Sequence, residues 1–290
     1  MTSETPRLAV LGLGTMGRAM ASSALRGGVP TAVWNRRPAA AGGLEEQGAD
    51  VARSVDDAVG QADVVITMVT DAAAVMAIAT EHGMLAALPT GAVWAQMSTI
   101  GVEGTERVAA LVGDQRPDVH LVDAPVSGSK VPAEQGTLLI FASGPDEARP
   151  RVAPVFEAIG QRTVWLGSVG AGSRMKLVNN VLLAFTAEGV ADSIGLAQRL
   201  GLQTSSVIEA VGDGPLISAW ESGKLQRIAK GEFGAEFALA LALKDVHLAL
   251  DAVGSDRFRV LAALADEWDA IVDSGMGGED ITVVTRVLGT

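Results

Sequence analysis

The sequence predicts an α/β domain followed by an all-α domain, and three observations predict it. Short apolar runs alternate with amphipathic stretches through the first half. One run, Val64–Val69, is continuously apolar apart from Thr67 rather than alternating, as suits a parallel strand covered on both faces. The second half carries helical periodicity instead. The length of 290 residues agrees, since about 150 residues per domain gives two.

Taken in order, Leu8–Leu11 is a buried strand and Met16–Arg26 an amphipathic helix. Thr31–Trp34 reads as a second strand and Ala39–Gln47 as a helix. Val64–Val69, Ala92–Gln96 and Leu121–Ala124 follow as further strands. Strands alternating with helices imply parallel βαβ units with right-handed crossovers. After Val164–Leu166 comes a glycine-rich loop, Gly167–Gly172. Ser173–Leu200 then runs without proline, with Leu177, Val181, Ala184 and Phe185 at helical spacing. Gly201 is its natural stop, because a glycine just past a helix accepts the left-handed conformation there. Ser205–Val211, Trp220–Lys230, Phe237–Val253 and Phe258–Val272 also read as helices. The expected domains are residues 1–168, a connecting helix over 169–200, and a helical domain over 201–290.

Composition narrows the chemistry. The chain has no cysteine and no tyrosine, and its only histidines are His82, His120 and His247. Disulfides, a thiolate nucleophile, a Cys-ligated zinc and a tyrosine acid are all excluded. Three histidines so far apart in sequence make a poor metal site, so none is expected. A net charge of −12 argues against nucleic acid and membrane surfaces, which need clustered Lys and Arg. No apolar stretch is long enough to span a bilayer, and the N-terminus lacks a basic-then-apolar leader pattern. The expected location is cytoplasmic.

Four motifs carry chemistry. Gly12-Leu13-Gly14-Thr15-Met16-Gly17 fits G-x-G-x-x-G, directly after a strand and before a helix. Its glycines permit a tight turn and close approach of backbone to a pyrophosphate, which the helix N-terminus favours. Asn35-Arg36-Arg37 ends the second strand, where an acid would bind a ribose 2′-hydroxyl. Two guanidiniums suit a 2′-phosphate instead, so NADP(H) is expected. Asp123–Ser129 follows a strand, and Ser127, Gly128 and Ser129 suit a carboxylate; spacing alone is equally compatible with an ordinary Pro/Gly turn. Lys176 and Asn180 are four apart on the long helix and share a face. A lysine on the first helical turn is disfavoured as a cation by the helix dipole, which suits it to proton donation. Taken alone, that pair reads more simply as a solvated lysine and a helix-packing asparagine, and Lys244-Asp245 as a solvated stripe.

Together these segments resemble the β-hydroxyacid dehydrogenase family over essentially the whole chain. The resemblance rests on Gly12–Gly17, on Asp123–Leu138, on Gly170–Asn180 and on Lys244–Ala249. It implies a Rossmann-type domain, a long interdomain helix and an all-α C-terminal domain that builds a homodimer or homotetramer. It implies Lys176 as the catalytic lysine, Asn180 as its partner, and Ser127 and Gly128 as carboxylate anchors. It further implies Lys244, Ser98 and Thr99 as contacts on the nicotinamide side, with Val69 and Thr70 in the cofactor loop after the third strand. Details such as Glu279–Val284 look most like the glyoxylate/succinic semialdehyde reductase branch. The implied reaction is hydride transfer between NADP(H) and a small aldehyde acid or hydroxy acid. Imine reductases resemble this architecture too, but lack a lysine at the matching helix position. A non-catalytic NADP(H) sensor is the alternative from another class.

Overall fold

A computed structural model describes residues 5–212 and 214–288. Contacts divide the chain into two compact units between Lys176 and Leu177. No helix among the described residues is long and apolar enough to cross a membrane.

The first unit is built on strands β1 (Leu8–Leu11), β2 (Thr31–Trp34), β3 (Asp50–Val51), β4 (Val64–Thr67), β5 (Val93–Gln96) and β6 (His120–Asp123). They form one parallel sheet in the order β3-β2-β1-β4-β5-β6. Every residue of β1, β4 and β5 is buried, as expected for central strands covered on both faces. The covering helices are α1 (Thr15–Arg26), α2 (Val55–Val59), α3 (Ala72–Ala79), α4 (Met84–Ala87) and α5 (Gly101–Gln115). Two apolar clusters result, and alternate β1 residues divide between them: Leu8 and Val10 in one, Ala9 and Leu11 in the other.

A second small sheet follows. It contains β7 (Val126–Ser127), β8 (Leu138–Ala142) and β9 (Gly160–Trp165), with helices α6 (Lys130–Gln135) and α7 (Arg149–Ile159) between its strands. β7 pairs antiparallel with β8, and β8 pairs parallel with β9.

Helix α8 (Ala171–Arg199) contains the division between the units. The second unit continues with α9 (Thr204–Val211), α10 (Ala219–Ala229), α11 (Leu239–Val253), α12 (Arg259–Ile271) and α13 (Thr285–Leu288). Its described residues contain no strand, only an isolated bridge between Ala238 and Asp280.

Three expectations change. Residues 39–47 form two separate 3₁₀ turns, Pro38–Ala41 and Glu45–Gln47, rather than one helix. Gly42 and Gly43 interrupt the run, and Gly43 has φ +77°. The strand expected over Val64–Val69 is β4 and ends at Thr67, so Val69 and Thr70 belong to the loop beyond it. The long helix starts at Ala171, which moves Lys176 from the first turn to the second. The dipole effect falls off beyond the first turn, so it is a weaker influence on this lysine than the sequence suggested.

Candidate active site

Open α/β sheets bind ligands where the strand order reverses, outside the carboxyl ends of the strands. Here that point lies between β1 and β4. Gly12 leaves β1 with φ +99°, and a Cβ there would stand 2.4 Å from the Met68 carbonyl oxygen. A Cβ on Gly17 would stand 2.0 Å from the Gly12 oxygen, whereas one on Gly14 would meet nothing within 4 Å. Packing therefore dictates two of the glycines, and the third opens outward. Gly14 is also the N-cap of α1 and offers no side-chain cap, so the first-turn N–H groups starting at Thr15 face outward without one. Leu13 is buried and Met16 packs against the core, so both side chains anchor the turn from inside.

Asn35 ties this turn to the end of β2. Its Oδ1 accepts from the Leu13 N–H at 3.0 Å, and its Nδ2 donates to the Arg37 carbonyl at 3.0 Å. Asn35 thus shapes the loop more than it reaches for a ligand. Arg36 and Arg37 are exposed, and no described residue pairs with either guanidinium. An uncapped helix start, an open Gly14 and two unpaired arginines fit a phosphorylated dinucleotide.

Beside them, the Val69 N–H donates to Ser98 Oγ at 2.9 Å, and Ser98 Oγ donates to the Thr67 carbonyl at 3.3 Å. Ser98 is fully buried, so it braces the loop after β4. Thr99 is half-buried. Thr70 is exposed and donates to Asp71 Oδ2, while Asp71 caps α3 through the Ala74 N–H.

Ser127 ends β7. Gly128 follows with φ +127°, and Ser129 is the N-cap of α6 with no side-chain cap bond. Asp123, in the same motif, carries no expected role. It is completely buried and accepts four hydrogen bonds, from Ser173 Oγ (2.6 Å), Ser173 N (2.8 Å), Gly170 N (3.1 Å) and Ser143 Oγ (3.2 Å). Burial pushes its carboxyl above the usual range, and the bonds from Ser173, Ser143 and Gly170 oppose that shift.

Lys176 is half-buried at the end of the first unit. Asn180 lies one turn further along α8, on the same helical face. In the second unit Asn180 is buried, and its Nδ2 donates to Asp245 Oδ2 at 2.5 Å. Lys244 Nζ stands 2.7 Å from Asp245 Oδ1. That oxygen accepts no bond in hydrogen-bonding geometry, so the contact is an ion pair. Asp245 therefore joins Asn180 to Lys244, a function that sequence spacing did not reveal. An acidic residue in an apolar helical run was the available signal, since such a residue is seldom buried without a partner.

Residues 7–167 match the family model for the NAD binding domain of 6-phosphogluconate dehydrogenase. Residues 170–288 match that for the NAD-binding region of NADP-dependent 3-hydroxyisobutyrate dehydrogenase. Glyoxylate/succinic semialdehyde reductase 1 of Arabidopsis thaliana is 30% identical over 282 residues, covering 96% of each chain. A 3-hydroxyisobutyrate dehydrogenase structure from Salmonella typhimurium superposes with a TM-score of 0.87 at 26% identity, covering 97% of this chain and 99% of that one. A structure of Psf3 in complex with NADP+ and 2-OPP superposes with a TM-score of 0.89 at 25% identity and the same coverage. The first unit is an NAD(P)(H)-binding domain. This chain belongs to the β-hydroxyacid dehydrogenase family, the NAD(P)-dependent oxidoreductases that act on hydroxy acids and semialdehydes.

Proposed function

We propose that this enzyme interconverts small aldehyde acids and hydroxy acids with NADP(H), using Lys176 as proton donor and acceptor. The observation that carries the cofactor preference is the end of β2. Arg36 and Arg37 stand there exposed, beside a turn that Asn35 fastens to the glycine loop. No acid occupies the place where one would select a free 2′-hydroxyl.

Gly12, Leu13, Gly14, Thr15, Met16 and Gly17 form the turn that receives the pyrophosphate; the N–H groups of Gly12 and Leu13 are taken by Trp34 and Asn35, so the first-turn N–H groups that begin at Thr15 are the ones that hold it. Arg36 and Arg37 hold the 2′-phosphate, with Asn35 shaping their loop. Val69, Thr70, Thr99 and Lys244 line the nicotinamide side, with Ser98 bracing that loop from below. Ser127, Gly128 and Ser129 receive the substrate carboxylate. The bound cofactor supplies or takes up the hydride. Lys176 passes a proton to the substrate oxygen as negative charge develops there, and Asn180 orients that oxygen. Asp245 locks the Asn180 amide, so that its orientation is set before substrate arrives.

The working division is residues 1–168 for the cofactor, 169–200 as connecting helix and 201–290 as helical domain. We further propose a cytoplasmic homodimer or homotetramer. Leu182 on α8 and Leu200 just past its end support assembly, being 70% and 69% exposed in the single chain.

One kinetic panel tests the reading. Oxidation of NADPH and NADH is followed with short aldehyde acids and cyclic imines, for the wild-type protein and Lys176→Ala. The expected result is turnover of aldehyde acids with NADPH preferred. Lys176→Ala should lower kcat by roughly 100-fold or more with NADPH affinity intact. Wild-type turnover in Lys176→Ala overturns the role of the lysine, and a preference for NADH overturns that of the arginines. Activity on imines alone makes this an imine reductase.

A further inference from the structure

The start of α8 is latched to the sheet by one buried carboxylate. Asp123 ends β6, is completely buried, and has no cation among its hydrogen-bond partners in the described residues. Its acceptor capacity goes to the first turn of α8 and the residue before it. Oδ2 takes the N–H groups of Gly170 and Ser173, and Oδ1 takes the Ser173 hydroxyl. Ser143, just past β8, extends the latch. Its backbone exchanges two hydrogen bonds with that of Asp123, and its hydroxyl accepts from the Gly172 N–H at 2.9 Å. The Ser173 hydroxyl also contacts Thr105 Oγ1 at 2.9 Å, which brings α5 into the same network. A Cβ on Gly172 would lie 2.3 Å from the Phe141 carbonyl and 2.7 Å from that of Asp123, so helix and sheet touch backbone to backbone.

This is more fastening than a helix start needs. One side-chain acceptor suffices for an ordinary N-cap. Here two side chains and a glycine contact fix both the height and the rotation of the first turn. Ser173 and Lys176 are three apart, and such residues are neighbours on a helix surface. We infer that the Asp123–Ser173–Ser143 latch is a positioning device for Lys176: it sets the rotation of α8, and so the place at which the ammonium meets the substrate oxygen. The inference rests on the assignment of Lys176 proposed above. Asp123 and Ser173 touch no reacting atom in this scheme; they act through the lysine.

The test is a double-mutant cycle on the full-length protein. Ser173→Ala removes the shortest latch bond and Ser173→Thr retains the hydroxyl. Asp123→Asn removes the negative charge and turns one of the two acceptor oxygens into a donor. Each change is made alone, and Ser173→Ala also in the Lys176→Ala background. The readouts are kcat and KM for the best aldehyde acid, NADPH affinity by fluorescence titration, and thermal melting. Ser173→Ala should lower kcat by about 10- to 100-fold, the scale expected for a misplaced catalytic group, with NADPH affinity unchanged. Ser173→Thr should retain most of the wild-type kcat. In the Lys176→Ala background Ser173→Ala should change the residual rate less than about twofold, because the group it positions is already gone. An equal fold-loss in both backgrounds overturns the latch, and so does wild-type kcat in Ser173→Ala. Normal turnover in Lys176→Ala alone overturns the lysine assignment instead, so the two failures are separable. Ser173→Ala keeps the proposal testable if Asp123→Asn does not fold.

Discussion

Glu188 is a titratable residue whose environment makes a sharp prediction. It lies on α8 in the second unit, and its Oε2 accepts from the indole N–H of the fully buried Trp268 at 2.6 Å. Burial pushes its carboxyl up to about 7; the Trp268 bond opposes this, and the nearby charges of Glu267 and Asp192 reinforce it. A carboxyl raised in the folded state stabilises most below its unfolded pKa and loses that contribution as pH rises through the folded value. Wild-type stability should therefore fall between about pH 4.5 and 7 relative to Glu188→Gln. Glu188→Gln should be the more stable protein at pH 8, by about 1–2 kcal/mol once solvent screening is allowed for. Urea melts of both proteins across that range check the sign. Parallel stability curves would show that Glu188 does not titrate there. Nothing in the sequence marked Glu188, because its hydrogen-bond partner comes from α12, eighty positions away.

At the scale of elements, α10 is held to the C-terminal segment by a buried ion pair. Lys224 is 3% exposed, and its Nζ donates to both oxygens of Asp280, which is wholly buried, and to Glu236 Oε2. Asp280 also accepts from the N–H groups of Glu236 and Phe237, the residues that lead into α11. Burial alone would raise the Asp280 carboxyl, but the bond and charge of Lys224, with those two N–H groups, hold it below its ordinary value. Removing one member of such a pair leaves a buried charge uncompensated. Lys224→Ala should cost about 3–5 kcal/mol, read as a lower urea midpoint. A loss under about 1 kcal/mol would mean that water replaces the ammonium. The sequence signal here was partial. The Glu279–Val284 stretch resembled a family segment, but nothing in it named Lys224 as the partner. Where one helix's own periodicity was the deciding force, sequence and structure agree to within a residue or two, as at α1, α9, α10 and α12. Where glycines break the chain, as at Gly42 and Gly43, the pattern of apolar residues misleads, because backbone freedom outweighs periodicity.

For the whole molecule, the net charge of −12 sets a further expectation. An acidic protein repels a polyanionic cofactor at long range and must attract it locally. Arg36 and Arg37 are the exposed cations at the cofactor crevice. The KM for NADPH should therefore rise with ionic strength, as salt screens that local attraction over about 10 Å. In the Arg36→Ala/Arg37→Ala protein the starting KM should be about 10- to 100-fold higher and its salt dependence flatter. Initial rates at several salt concentrations decide it; an unchanged slope in the double variant would place the attraction elsewhere.

The sequence by itself determined the parallel α/β first half, the helical second half and the phosphate turn. Each rests on local periodicity or on glycines whose role is written in their spacing. It also excluded thiol, tyrosine and Cys-ligated zinc chemistry, because a chain without cysteine or tyrosine forbids them. Only the tertiary structure decided what Asn35, Ser98, Asp123 and Asp245 do. Each bonds residues distant in the chain or across a turn, such as Leu13 for Asn35, Val69 for Ser98, Ser173 for Asp123 and Asn180 for Asp245. A buried polar group takes its role from whichever donors and acceptors folding brings to it, and that pairing has no period along the sequence.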